Sequence, residues 1–161
     1  MPEPLRLYFD TSVYLAFLND EPNRANIVES LLDDAQQEVI RIFTSTVSLT
    51  EVVYLRSQDK QLNYAAMDQQ IDSLLQNPAI TTLIQLTAEI GVAAREYVRS
   101  QPARVAGLQV RDAIHLATAV AAGVDRFCVY DDDFRPFQDH VGFDIGEPAT
   151  VSPRLNLGEV E

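Results

Sequence analysis

The sequence predicts an α/β protein with a mainly parallel central sheet. Short β-branched or aromatic runs alternate with longer amphipathic ones, the pattern of strands joined by helices. The first strand-like run stops at a carboxylate, and a helix-forming stretch starts there with no Gly or Pro between. Length and composition, 161 residues with 47% hydrophobic and 22% charged, suit one domain with a real core.

Leu5–Phe9 is apolar and aromatic and reads as the first strand. It runs into Asp10, and Ser12–Leu18 continues as a helix. An acid at the carboxyl end of a buried first strand stands where open α/β sheets place ligands; the plain alternative is a helix N-cap. Asn19–Asn23 is a turn. From Arg24 to about Glu38, Ile27, Val28, Leu31, Leu32 and Ala35 recur at helical steps. Val39–Ser45 is the second strand. Ser48–Glu51 matches a capping box, with Ser48 as cap and Glu51 reaching back, opening a helix that carries Val52, Val53, Tyr54 and Leu55. Gln58–Tyr64 is a polar connection, Ala65–Gln76 a helix ended by Asn77-Pro78, and Ile80–Leu86 the third strand.

Thr87 caps a helix with Ile90, Val92, Ala93, Ala94, Tyr97 and Val98. Gln101–Leu108 reads as the longest loop near the sheet. A helix follows over Val110–Ala122, with a small apolar face and Gly123 as C-cap. Arg126–Tyr130 is the fourth strand, followed by Asp131-Asp132-Asp133-Phe134. Residues 1–145 are expected to form the single domain, and 146–161 a tail; the end of the chain, from Gly142, has room for one short edge strand.

No run approaches the roughly 18 apolar residues of a membrane span, and the Met-Pro-Glu-Pro start does not read as a signal peptide. The single cysteine, Cys128, sits in an apolar run and reads as a buried thiol in a reducing cytoplasm. Net charge is −12, from 24 acids against 12 bases, which counts against a broad electrostatic nucleic-acid surface. A polyanionic substrate must then be held by local Arg groups or by metal ions.

Four carboxylates share an address. Asp10 ends strand one, Glu51 stands in the first turn after strand two, Asp112 in the first turn of the helix before strand four, and Asp131 ends strand four. In a parallel sheet all four positions lie along one rim. Each has a local explanation as cap, capping box, helix-dipole partner or turn residue. Together, without cations, they would repel. Hard divalent cations with oxygen-only ligands, Mg²⁺ or Mn²⁺, remove that cost. Without metal, the repulsion is expected to raise the acids' folded-state pKa values.

These residues carry a resemblance. Phe9-Asp10-Thr11-Ser12, Ser48-Leu49-Thr50-Glu51-Val52, Arg111-Asp112-Ala113-Ile114-His115-Leu116-Ala117-Thr118-Ala119 and Val129-Tyr130-Asp131-Asp132-Asp133-Phe134 resemble, in order, the motifs of PIN-domain ribonucleases. In length and layout the chain looks most like the toxins of VapBC-type toxin–antitoxin pairs, over about Leu5 to Phe137. The resemblance implies a PIN-like three-layer α/β/α sandwich with four to five strands, and metal-dependent hydrolysis of RNA. The family's metal-binding and catalytic acids carry over to Asp10, Glu51, Asp112 and Asp131. One ion would generate and orient a hydroxide, and a second would stabilise the leaving 3′ oxygen. Asp132 and Asp133 compete with Asp131 for the last place; Phe134, three residues on, favours Asp131. The chain departs from the family at Val129, where Ser or Thr is usual; Thr11 or Ser12 would have to supply a hydroxyl. A small antitoxin protein as partner, a homodimer and a cytoplasmic location are further implications.

Other residues stand near these motifs. His115, one turn after Asp112, is a substrate contact, a proton shuttle or a structural histidine. Arg111 is suited to a phosphate or to a surface ion pair. Arg95 and Arg99 share a helix face, and with Arg104 they are the candidate RNA-holding patch; Tyr54 and Tyr97 read as core-edge aromatics. Two other enzyme classes fit poorly. A haloacid-dehalogenase-like phosphatase wants a second Asp where Ser12 stands and a lysine in the site. A receiver domain wants the lysine too, and Lys60, the only one, lies in a polar connection. A non-catalytic PIN-like partner-binding protein is the remaining alternative.

Overall fold

The computed structural model describes residues 3–53, 55 and 63–151. Tyr54, Lys60 and most of the expected tail lie outside them. Five strands form one sheet: β1 (Leu5–Phe9), β2 (Ile40–Ser45), β3 (Thr81–Ile84), β4 (Arg126–Cys128) and β5 (Asp144–Gly146). Their order is β3-β2-β1-β4-β5 and every pairing is parallel. The chain builds outward from β1 to one side, then crosses back to β4 on the other. The order therefore reverses at β1, where open α/β sheets form a crevice outside the strand ends. Asp10 stands at that point, its N–H donating to the Cys128 carbonyl at 3.0 Å.

Side-chain alternation along each strand divides the core into two layers. Leu7 and Phe9 of β1, and Ile40 and Ile42 of β2, pack with α1 (Thr11–Leu18), α2 (Ala25–Gln36) and α4 (Tyr64–Leu75). Tyr8 and Phe43 point the other way, into a core shared with α5 (Ala88–Arg99), α6 (Gln101–Ala106) and α7 (Val110–Ala122). The result is a three-layer α/β/α sandwich. α7 presents Ala113, Leu116, Ala117 and Ala119 to this core, and those small residues let it pack closely against α5. Gly123 ends α7 at φ 63°, a left-handed cap that glycine adopts without a Cβ penalty.

Several boundaries differ from expectation. The helix after β2 is a single turn, α3 (Ser48–Glu51), and does not continue through Leu55. Its capping box does not form. The buried Ser48 hydroxyl pairs with Thr44 Oγ1 at 2.8 Å, and Glu51 turns to partners on other elements. The predicted loop over Gln101–Leu108 contains α6, opened by Pro102 in its first turn and closed by Gly107 at φ 71°. The third and fourth strands are shorter than predicted. After β4 the chain runs through a 3₁₀ segment, Asp132–His140, that periodicity did not reveal; Phe134 and Phe137 pin it to the second core. The edge strand β5 lies across the expected domain–tail boundary. Among the described residues, no helix is long and apolar enough to cross a membrane.

Candidate active site

Asp10 leaves the end of β1 with an extended backbone and caps α1. Its Oδ2 accepts the Ser12 N–H at 3.2 Å. The cap occupies one oxygen. Oδ1 faces the His115 ring, 3.9 Å from Nε2. Cap and site readings are therefore compatible, because a carboxylate has lone pairs for both.

Glu51 comes in from α3. Its Oε1 accepts the Thr11 hydroxyl at 3.0 Å and lies 2.5 Å from His115 Nε2. Its Oε2 faces the Arg111 Nε at 3.8 Å, and that arginine is largely exposed. Burial pushes the Glu51 pKa up, but the hydrogen bond and charge of His115, the Thr11 hydroxyl and Arg111 outweigh it, so the net shift is downward. Asp112 stands in the first turn of α7, where its Oδ2 accepts the Gln109 N–H at 3.2 Å. Burial raises its pKa, and the negative charge of Asp10 adds to the rise against the opposing Gln109, Arg111 and His115. The expectation that repulsion would raise all the acids thus fails at Glu51, because partners from two other elements, α1 and α7, surround it.

His115 is fully buried at the centre of this group. Its Nδ1 lies 2.6 Å from the Tyr8 hydroxyl, and its Nε2 is also 3.4 Å from Thr11 Oγ1. Tyr8 was not singled out from the sequence. A usable signal existed: along β1, Arg6 and Tyr8 alternate with Leu5, Leu7 and Phe9, so their polar tips share a face. Both reach α7, Arg6 at the Ala122 carbonyl and Tyr8 at His115.

The structure brings Asp10, Glu51, Asp112, Thr11, Arg111 and His115 together. Asp131 lies beyond β4 and does a local job, capping the 3₁₀ segment by accepting the Asp133 N–H at 3.0 Å. Asp131, Asp132 and Asp133 are all exposed. Asp132 pairs with Arg135 at 3.0 Å, and slight burial with the neighbouring Asp131 and Asp132 raises the Asp133 pKa. Ser12 Oγ accepts the Tyr130 N–H at 3.2 Å, so the hydroxyl near the acids comes from Thr11. Val129 is buried in the second core. Arg95 and Arg99 on α5 and Arg104 on α6 are exposed.

The donors suit a hard divalent cation in kind: carboxylate oxygens with Asp10 Oδ1 and Glu51 Oε2 not taken up by backbone, and an Asp112 carboxylate that feels the charge of Asp10. As the side chains stand, no three His, Cys, Asp or Glu among the described residues form a group that could hold a metal ion.

An all-parallel sheet between helical layers, with carboxylates gathered outside the strand ends at the reversal point, defines an open α/β protein whose chemistry lies on that rim. The chain belongs to the PIN domain family, whose model matches residues 7–139. Solved structures share the fold. VapC20 of Mycobacterium tuberculosis, described as a toxin that cleaves the sarcin–ricin loop, is 19% identical with a TM-score of 0.63, covering 91% of this chain and 99% of that one. VapBC2 of Rickettsia felis, bound to a DNA fragment from its promoter, is 16% identical with a TM-score of 0.62, covering 89% and 98%. FitAcB of Neisseria gonorrhoeae is 17% identical with a TM-score of 0.57, covering 88% and 97%. No curated protein sequence matches the chain.

Proposed function

We propose that this protein is a metal-dependent endoribonuclease and the toxin of a type II toxin–antitoxin pair. The observation that carries the reading is the convergence of Asp10, Glu51 and Asp112, from three separate elements, on the rim where the sheet order reverses. Asp10, Glu51 and Asp112 would hold Mg²⁺ or Mn²⁺, with Asp131 serving a second ion or a more distant place. Such ions supply water activation and charge neutralisation at the leaving oxygen. The chain's own residues do the rest. Asp10 is fixed by the β1–β4 pairing and by its cap, and therefore anchors the site. Thr11 and His115 orient Glu51. Arg111, exposed and only loosely paired at 3.8 Å, is free to turn to a phosphate. Arg95, Arg99 and Arg104 would hold RNA further out, on a chain whose net charge of −12 otherwise repels it.

Likeness to VapC20 and VapBC2 supports an RNA substrate and a small antitoxin partner, and the same proposal includes a homodimer and a cytoplasmic setting. The test is cleavage of loop-containing RNA, beginning with a sarcin–ricin loop oligonucleotide, with Mn²⁺ or Mg²⁺ and with EDTA. Asp10→Asn and Asp112→Asn should each lose most activity. Both variants cutting at the wild-type rate would sink the assignment.

One observation favours the non-catalytic alternative: Glu51 is engaged by His115, and among the described residues no three-ligand group is assembled as the side chains stand. A protein of that kind would bind its partner and leave RNA intact under every metal condition.

A further inference from the structure

Glu51 sits on a one-turn helix whose N-cap, Val47, offers no side-chain hydrogen bond. Local structure alone holds it weakly. What fixes it is a buried relay that runs from β2 through β1 to α7. The Ser45 N–H at the end of β2 donates to the Tyr8 hydroxyl oxygen at 3.1 Å. The same hydroxyl lies 2.6 Å from His115 Nδ1. The other ring nitrogen, Nε2, donates to Glu51 Oε1. The Tyr8 ring is itself clamped, stacked on Phe127 at 5.0 Å and 7° and edge-on to His115 at 5.8 Å.

We infer that His115, held by Tyr8, is a positioning residue that engages one oxygen of Glu51 and leaves the other for a cation. Thr11 and His115 both donate to Oε1, while Oε2 has only the Arg111 Nε, at 3.8 Å. The relay therefore leaves Oε2 as the Glu51 oxygen that would serve a cation. The inference rests on the metal reading proposed above.

The experiment is Mn²⁺ binding to the full chain without RNA, read by the paramagnetic resonance signal of free Mn²⁺, together with melting curves in EDTA. His115→Leu removes the donor. His115→Gln keeps an N–H able to reach Glu51. Tyr8→Phe keeps the ring and removes only the hydroxyl. Outer partners of metal ligands typically alter affinity by about 10–100-fold. His115→Leu should weaken Mn²⁺ binding by that range, Tyr8→Phe by about tenfold, and His115→Gln should recover part of the loss. Melting curves establish which variants are folded; if His115→Leu is not, Tyr8→Phe and His115→Gln carry the comparison. Folded variants that bind Mn²⁺ with the wild-type dissociation constant overturn the positioning role and leave the metal reading standing. A wild-type protein that binds no Mn²⁺ overturns the metal reading itself, and this one with it, before any substitution is made.

Discussion

The Ser12 hydroxyl accepts the backbone N–H of Tyr130 at 3.2 Å, which ties the first turn of α1 to the residue before Asp131. On its outer side the Tyr130 ring is covered by the Arg24 guanidinium, 4.2 Å from the ring centroid. The two contacts hold the exit of β4 from opposite elements.

Ser12→Ala should therefore lower stability by about 1 kcal/mol, because a part-buried N–H loses its acceptor. Urea denaturation measures it. A change within a few tenths of a kcal/mol would mean that water replaces the hydroxyl.

Two carboxylates of one site should respond oppositely to neutralisation. The Glu51 pKa is lowered, so its contribution is present above the unfolded carboxylate value and is lost as pH falls through the folded one. The Asp112 pKa is raised, so its contribution is present below its unfolded value and is lost as pH rises through the folded one. At pH 7 in EDTA, Glu51→Gln should cost about 1–2 kcal/mol as charge-assisted hydrogen bonds weaken. Asp112→Asn should gain about 0.5 kcal/mol after allowance for solvent screening, since Asn can still accept the Gln109 N–H. Thermal melts of both variants decide it. Two changes of the same sign would mean that the acids are not electrostatically distinct.

Metal should stabilise only the folded chain. At a hundredfold excess over its dissociation constant, Mn²⁺ should add about 2.7 kcal/mol to the wild type. Asp10→Asn should lose most of that gain, because an amide is a poorer ligand for a hard ion. Differential scanning calorimetry with Mn²⁺ and with EDTA gives the comparison, and identical wild-type curves would contradict a metal site.

Glu38 lies between α2 and β2 at φ 61°, a left-handed conformation in an exposed residue. Its N–H donates to the Ala35 carbonyl at 3.0 Å, closing the end of α2. The left-handed region costs a side-chain-bearing residue roughly 1–2 kcal/mol, while glycine's extra unfolded-state freedom offsets about 0.4–1. Glu38→Gly should raise stability by about 0.5 kcal/mol net; a loss would show that the Glu38 side chain contributes more than its backbone strain costs.

Cys128 is buried in the first core, and burial pushes its thiol up to about 12 despite the opposing charge of Arg126. A disulfide exchange reagent should leave the native protein untouched and react stoichiometrically in denaturant. Fast reaction in native buffer would require β4 to open readily.

What the sequence by itself determined is what is local in the chain. Leu5–Phe9 is a strand because four of its five residues are apolar or aromatic with no breaker among them. Val110–Ala122 is a helix because its apolar positions recur every three or four residues and a glycine follows. The alternation of such elements dictated the parallel sheet, and in a parallel sheet the positions of Asp10, Glu51, Asp112 and Asp131 fall along one rim. Where a short-range pattern competed with distant partners, it misled. Ser48–Glu51 has the residues of a capping box, yet Glu51 bonds to Thr11 and to His115, 64 positions away. The loop expected at Gln101–Leu108 is a helix because Ala103 and Leu108 bury against the second core. Tertiary structure alone decided that His115 would be dry, that Tyr8 would hold its ring, and that Asp131 would lie exposed at the head of the 3₁₀ segment. Local propensities amount to a few tenths of a kcal/mol per residue. A buried polar group left without a partner costs several times that, so the network that satisfies His115, Tyr8 and Glu51 together set the final geometry of the site.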